Sequence, residues 1–136
     1  MLSDTVRKYY IGDCDLNCAE AMLYAANEEY GMLLDKKALK TMAAFGGGMG
    51  IEEACGAMTG GLAALGVLFV KDRAHESDRI KRLSKEFIEA FKEKLSTENC
   101  RKLKDIHRED ASKCEYIVVT AAELLDKIVD REGFRG

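Results

Sequence analysis

The 136-residue chain contains no proline, although an average composition would supply about seven. Proline is the strongest helix breaker, so its absence permits long uninterrupted helices and excludes collagen-like chains, proline-rich linkers and polyproline ligands. Alternation of apolar and polar residues, which is typical of strands, is also missing over any long window. The sequence therefore predicts an all-α protein.

The charge balance argues against a general nucleic-acid binder, and the lack of a long apolar run argues against a membrane-spanning protein. A formal net charge of −3 does not suit a general nucleic-acid binder. The longest stretch with few charges, residues 54–70, is shorter than the roughly 20 apolar residues that span a bilayer. The first residues lack the apolar segment of a secretion signal. We therefore expect a cytoplasmic protein with reduced thiols and without nucleic-acid or membrane partners.

Helical periodicity recurs along the whole chain. It is clearest over residues 78–95, where apolar residues recur every three or four positions and charges occupy the other face. Cap residues and glycines bound the predicted helices at 4–11, 18–30, 35–45, 51–70 and 78–95, a short helical turn after Thr97 or Asn99, and a last helix after Asp110 or Ser112. Short linkers make consecutive long helices antiparallel. The prediction is one domain over residues 1–136, a single compact up-and-down bundle of five to six helices.

The predicted helix 51–70 is unusual because it is rich in glycine and alanine. Each internal glycine costs up to about 1 kcal/mol relative to alanine, so some packing advantage should offset it. Gly56 and Gly60 are four residues apart and share a face, which would let another backbone approach closely. We expect this helix either at the centre of the bundle or in the seam of a homodimer.

Five cysteines are present, and an odd number excludes a complete set of intrachain disulfides. Four of them fall at predicted helix N-termini: Cys18, Cys55, Cys100 and Cys114. The partial positive charge of a helix N-terminus lowers a thiol pKa. In an up-and-down bundle these four and Cys14 gather at one end. There is no C-x-x-C motif, so the spacing by itself indicates a metal site only weakly, and buried cysteines acting as small apolar side chains are the alternative.

Two other features bear on this end of the bundle. Gly48 and Gly50 form part of a dinucleotide-binding pattern, but a helix precedes them and two glutamates follow, which disfavours phosphate. We expect the glycines to give backbone clearance near Cys55 and to leave amides free to hydrogen-bond sulfur. His107 lies seven residues from both Cys100 and Cys114. It is either a further ligand or an exposed histidine of the linker.

Five segments occur in a fixed order along the chain: Asn17–Ala21, Phe45–Gly50, Cys55–Gly60, Cys100–Leu103 and Cys114. Together they resemble the C_GCAxxG_C_C family of redox-active proteins, over about Val6 to Val129, although Ala54 stands where the family label has glycine. The resemblance implies a small helical prokaryotic protein with a redox function or a bound metal cluster. It also implies that Cys18, Cys55, Cys100 and Cys114 are the family's cysteines and that Cys14 is an extra.

Three hypotheses follow. In the first, the four family cysteines bind zinc or an iron–sulfur cluster, with Cys14 and His107 as extra ligands and Gly48, Gly50 and Gly56 beside the cofactor. The absence of C-x-x-C-H means that c-type haem is not expected. In the second, Cys18 and Cys55 cycle as a thiol–disulfide pair. In the third, a non-catalytic module dimerises through its glycine face. We favour the first, an electron-transfer protein or oxidoreductase with a redox partner protein.

Overall fold

The computed structural model describes residues 1–133, which form seven α-helices. These are α1 (Leu2–Ile11), α2 (Cys18–Tyr30), α3 (Lys36–Leu39), α4 (Gly56–Phe69), α5 (Arg79–Leu95), α6 (Cys100–His107) and α7 (Glu115–Arg131). Two tighter turns, Lys40–Met42 and Ala74–Glu76, and an irregular segment, Gly48–Glu52, lie between them. Within the described residues there is no strand, and no helix is both long and apolar enough to cross a membrane. The prediction of an all-α fold is confirmed.

The glycine- and alanine-rich helix α4 lies at the centre and contacts α2, α5 and α7. A Cβ atom added at Gly60 would lie 2.6 Å from the carbonyl oxygen of Ala19 in α2, and one at Gly61 would lie 2.6 Å from the ring of Phe87 in α5. The small residues therefore let neighbouring elements of the same chain approach α4. The expectation of a central helix is confirmed, and α2 covers the face that would otherwise form a dimer seam.

The ends of α2 agree with the prediction from sequence. The Asn17 side chain accepts a hydrogen bond from the Glu20 N–H at 2.8 Å, and the Glu20 carboxylate accepts one from the Asn17 N–H at 3.0 Å. This reciprocal pair is a capping box, which satisfies two amides that a helix start leaves free. At the other end Gly31 has φ of 61°, the left-handed conformation in which glycine often ends a helix.

Two of the predicted helices are shorter in the structure. The helix expected at 35–45 ends at Leu39 and continues only as a tighter turn. The helix expected at 51–70 begins at Gly56, because the chain before it takes another course. Residues 47–50 all have positive φ, and Ala54 pairs with Asn99 in an isolated antiparallel bridge. These contacts hold the residues before Gly56 against the start of α6.

The remaining boundaries differ by a few residues. Helix α1 begins at Leu2, two residues before the prediction, because the buried carboxylate of Asp126 in α7 accepts the Leu2 N–H at 2.9 Å. Helix α6 extends over eight residues where a single turn was expected. Helix α7 begins only at Glu115, since residues 109 and 113 first pair in a tight antiparallel turn.

Candidate thiol pocket

A cavity of about 360 Å³ opens where the end of α1 meets the starts of α2, α4, α6 and α7. Four cysteines line it: Cys18, Cys55, Cys100 and Cys114. Cys18 and Cys100 are the first residues of α2 and α6, and Cys55 and Cys114 occupy the cap positions of α4 and α7. The structure thus brings together four cysteines that are far apart in sequence. We call this cavity the thiol pocket.

The cysteines differ in their exposure. Cys55 and Cys100 are buried, with 5% and 6% of their surface accessible, whereas Cys18 and Cys114 are partly exposed. Cys14 lies in the connection between α1 and α2, is exposed, and does not line the thiol pocket. All five are free thiols. Cys18 and Cys114 are therefore the more exposed of the four pocket cysteines.

Burial controls the ionisation of the buried pocket thiols. Desolvation, followed by the proximity of Cys18, raises the pKa of Cys55 to about 12. Desolvation also raises the pKa of Cys18 and that of Cys100. Amides act in the opposite direction, since the Gly47 N–H faces Cys18 and the N–H groups of Ala57 and Met58 face Cys55. The expectation that helix N-termini would lower these pKa values is wrong, because burial outweighs the amides.

The family model described as "Putative redox-active protein (C_GCAxxG_C_C)" matches residues 16–128, a range that contains all four pocket cysteines. The chain belongs to the C_GCAxxG_C_C family. Neither a curated protein nor a solved structure matches it at a significant level. The resemblance drawn from the five sequence segments is therefore confirmed over most of the chain.

Two of the three glycines singled out from the C_GCAxxG_C_C sequence lie directly beside pocket cysteines. A Cβ atom at Gly56 would lie 2.3 Å from the Cys18 sulfur. Gly48 is buried with φ of 63°, and a Cβ atom there would lie 2.7 Å from Cβ of Cys100. Gly50 is exposed, and apart from its chain neighbours no described residue comes within 4 Å of the position of a Cβ there. The missing side chain thus leaves room for the Cys18 sulfur at Gly56, and for the Glu53 backbone and the Cβ atom of Cys100 at Gly48.

The donor chemistry of the thiol pocket suits a soft metal or a cluster, since four thiols are the ligands that zinc and iron–sulfur centres prefer. Over residues 1–133, however, no three histidine, cysteine, aspartate or glutamate side chains are close enough to hold a metal ion as they stand. The sulfurs would have to approach one another and lose their protons. The cavity itself offers space for more than a single ion.

His107 does not line the thiol pocket. Its Nε2 atom lies 3.3 Å from the carbonyl oxygen of Leu95, at the end of α5, and its ring centroid lies 5.3 Å from that of Tyr116 in α7. The structure therefore gives His107 neighbours outside the cysteine cluster. Of the residues considered as extra ligands, neither His107 nor Cys14 lies with the four pocket cysteines.

One neighbour of the cysteines was not recognised from the sequence, which indicated only helix packing for the tyrosines. Tyr10 lines the thiol pocket, and its hydroxyl oxygen accepts the Cys114 N–H at 3.2 Å. Burial raises the Tyr10 pKa to about 12, so the phenol stays neutral and can also donate its proton to a hydrogen bond with sulfur. Its place at the end of the first helix, shortly before Cys14, is the signal that could have found it.

Three cationic residues were also missed: Lys104, Arg108 and Lys113 line the same pocket. Lys104 lies in α6, and Arg108 and Lys113 lie in the connection between α6 and α7. No motif marks them, because acidic residues alternate with them along this part of the sequence. Only the fold shows that these cations line the same pocket as the cysteines.

Proposed function

We propose that this protein is a redox protein whose pocket cysteines together bind a metal ion or an iron–sulfur cluster. One observation carries the proposal: four thiols from the starts of four different helices line one cavity. Buried free cysteines usually serve as small apolar side chains, and that role does not require four of them to converge. Convergence of soft ligands is what a metal centre requires.

The ionisation of the thiols supports the proposal. Burial and the proximity of other thiols raise the pKa of Cys18, Cys55 and Cys100, so these three thiols keep their protons when no cation is bound. A bound cation offsets both effects, and binding then releases protons. The ligands would be Cys18, Cys55, Cys100 and Cys114. An iron–sulfur cluster would supply one-electron transfer, and the Gly47 N–H that faces Cys18 would tune its potential.

Metal analysis with an absorption spectrum on anaerobically purified protein tests the proposal. We expect bound iron or zinc, or uptake of either on reconstitution. Single serine variants of the four pocket cysteines should each weaken binding, whereas the matched variant Cys14→Ser should bind as the parent does. A colourless protein that takes up neither metal, or equal effects from Cys14→Ser and the pocket variants, would contradict it.

A second function is favoured by a specific pair of cysteines. Cys18 opens α2 and Cys55 caps α4, these two helices contact each other most extensively, and the proximity of Cys18 contributes to the raised pKa of Cys55. The alternative proposal is a thiol–disulfide oxidoreductase in which these two cysteines cycle. Mass mapping under mild oxidant should then show one reversible pair, and random pairing would exclude this function.

The setting in which the protein works is also a proposal. Five free thiols favour a reducing compartment, so we propose a cytoplasmic location in a prokaryote. An electron-transfer role needs a redox partner protein, and a homodimer remains our proposal for the oligomeric state. Because α2 covers the glycine face, a dimer would need another surface. Light scattering on the purified chain distinguishes a dimer from a monomer.

A further inference from the structure

The thiol pocket has a cationic mouth in a chain whose net charge is −3. Among the residues that the structure describes, its lining includes Lys104, Arg108 and Lys113 but only one carboxylate, that of Asp15. Lys104 is partly neutralised by Glu52, whose oxygen lies 3.4 Å from its Nζ atom. Arg108 and Lys113 form no ion pair with any residue of the described chain. Two exposed positive charges are therefore free to bind an anion at the mouth.

The backbone holds these two cations in place. Arg108 directly follows α6, and the residues after it form a tight antiparallel turn in which Glu109 and Lys113 exchange two backbone hydrogen bonds, of 2.7 and 3.0 Å. This turn returns the chain so that Lys113 lies at the pocket together with Arg108 and directly before Cys114. A pair of cations on this turn, beside the partly exposed residue Cys114, forms a recognition element for a ligand that carries both sulfur and negative charge.

We propose that the thiol pocket accepts a small anionic disulfide, a low-molecular-weight compound whose carboxylates bind Arg108 and Lys113 and whose sulfur reacts with Cys114. The cavity of about 360 Å³ lies in the size range of small-molecule sites. Cys114 is preferred to Cys18, because the Cys18 sulfur lies against Gly56 while Cys114 adjoins the cation. The inference rests on the proposed function only in taking this pocket as the redox site, and it concerns the metal-free state, in which Cys114 is a free thiol and not a ligand.

The reaction is an exchange that needs no other oxidant. The Cys114 thiol loses its proton and its sulfur attacks one sulfur of the disulfide R–S–S–R. A bond forms between Cys114 and one S–R group as the original S–S bond breaks, and the leaving thiolate takes up a proton. The balance is one protein thiol and one disulfide converted to one mixed disulfide and one free thiol, R–SH.

Two disulfides of opposite charge test the inference on the metal-free full-length chain. Glutathione disulfide is a net anion and cystamine is a cation, and the loss of each free thiol is followed by rapid alkylation and peptide mass mapping. Exposed Cys14, outside the pocket, is the internal reference, and all variants are compared in an Asp13→Asn/Asp15→Asn background, which removes the negative charges that flank it. We expect the ratio of Cys114 to Cys14 modification to be about tenfold higher with glutathione disulfide than with cystamine.

Charge reversal supplies the second arm of the experiment. In Arg108→Glu/Lys113→Glu the preference for the anionic probe should disappear or reverse. In the matched variant Lys81→Glu/Lys85→Glu, on the exposed face of α5, it should persist. Equal Cys114 to Cys14 ratios for the two probes, or a preference that survives the pocket variant, would overturn the inference. Metal uptake is measured separately on the parent protein, so failure of the proposed function is seen independently.

Discussion

At the scale of single residues, the thiol pocket depends on a side chain that is missing. A Cβ atom at Gly56 would lie 2.3 Å from the Cys18 sulfur, 3.1 Å from the Ala19 nitrogen and 3.2 Å from the Phe45 carbonyl oxygen. We expect Gly56→Ala to separate α2 from α4 and to lower the free energy of unfolding by about 1–3 kcal/mol, as overpacking does. Metal uptake should weaken too, and urea unfolding with a metal titration measures both effects.

A second glycine of α4 provides the control. Among residues 1–133, no atom outside the adjoining residues and nearby backbone of α4 lies within 4 Å of the position that a Cβ of Gly66 would occupy. Gly66→Ala should therefore leave the free energy of unfolding unchanged or raise it by up to about 1 kcal/mol, through helix propensity alone. If the two alanine variants had the same stability, the close approach at Gly56 would have no energetic consequence.

The buried thiol of Cys55 predicts how stability depends on pH. Its pKa is 9.0 ordinarily and about 12 in the fold, so the unfolded chain releases this proton first. The stabilising contribution is therefore complete below pH 9 and is lost as the pH rises towards 12, by up to about 1.4 kcal/mol for each pH unit. Urea unfolding of the metal-free protein at pH 8 and pH 10 measures this slope.

Alanine variants separate Cys55 from the other groups that titrate at high pH. Cys55→Ala should be less stable than the parent at pH 8, because it leaves a cavity, yet it should lose less stability between pH 8 and pH 10. Cys14→Ala, at an exposed position, should keep the slope of the parent. An unchanged slope in Cys55→Ala would mean that this thiol does not govern the pH dependence.

At the scale of elements, the sequence predicts a helix boundary correctly where residues adjacent in the chain determine it. Both ends of α2 follow from neighbours in the chain, the Asn17 capping box and the left-handed Gly31. The start of α4 does not, because Cys55 donates its N–H to the Glu98 carbonyl oxygen at 2.9 Å, a contact between distant parts of the chain. Helical periodicity cannot report a competing partner as distant in sequence as Glu98 is from Cys55. Periodicity alone therefore extends the predicted helix back to residue 51, whereas α4 begins at Gly56.

The Asn17 cap gives a prediction at this scale, because it serves both α2 and the loop that faces it. Its side-chain oxygen caps Glu20, and its Nδ2 atom donates to the Ala43 carbonyl oxygen at 3.0 Å. Asn17→Ala removes both interactions and should cost about 1–2 kcal/mol of stability. Thermal unfolding followed by circular dichroism measures the loss.

The variant Asn17→Asp isolates the cap. Aspartate keeps the acceptor for the Glu20 N–H but cannot donate to the Ala43 carbonyl oxygen. Its stability should therefore lie between those of the parent and Asn17→Ala. A variant as unstable as Asn17→Ala would assign the whole effect to the contact with the loop instead of to the helix cap.

At the scale of the whole molecule, the predicted order and direction of the helices are what bring the cysteines together. Placing helix starts at one end of an antiparallel bundle was enough to predict that the cysteines lie together, and four of them line one cavity. Two details depend on side-chain direction, which a helix boundary does not define. Cys14 lies outside the cavity, and His107 contacts Leu95 and Tyr116 instead. Tyr10 was missed for the same reason.

The fold also depends on one buried carboxylate that joins three helices. Asp126 of α7 accepts the Leu2 N–H at 2.9 Å and the Tyr30 hydroxyl at 2.6 Å, and is only 3% exposed. Asp126→Ala leaves a buried N–H and a buried hydroxyl without this acceptor, and each such group costs about 1–3 kcal/mol. We expect a loss of roughly 3 kcal/mol in urea unfolding, with all helices melting together.

Two control variants separate this carboxylate from its surroundings. Tyr30→Phe should cost about 1 kcal/mol, and Glu123→Ala, on the exposed face of α7, should cost close to nothing. A loss confined to α1, with α2 and α7 intact, would show that this carboxylate holds only the N-terminal helix.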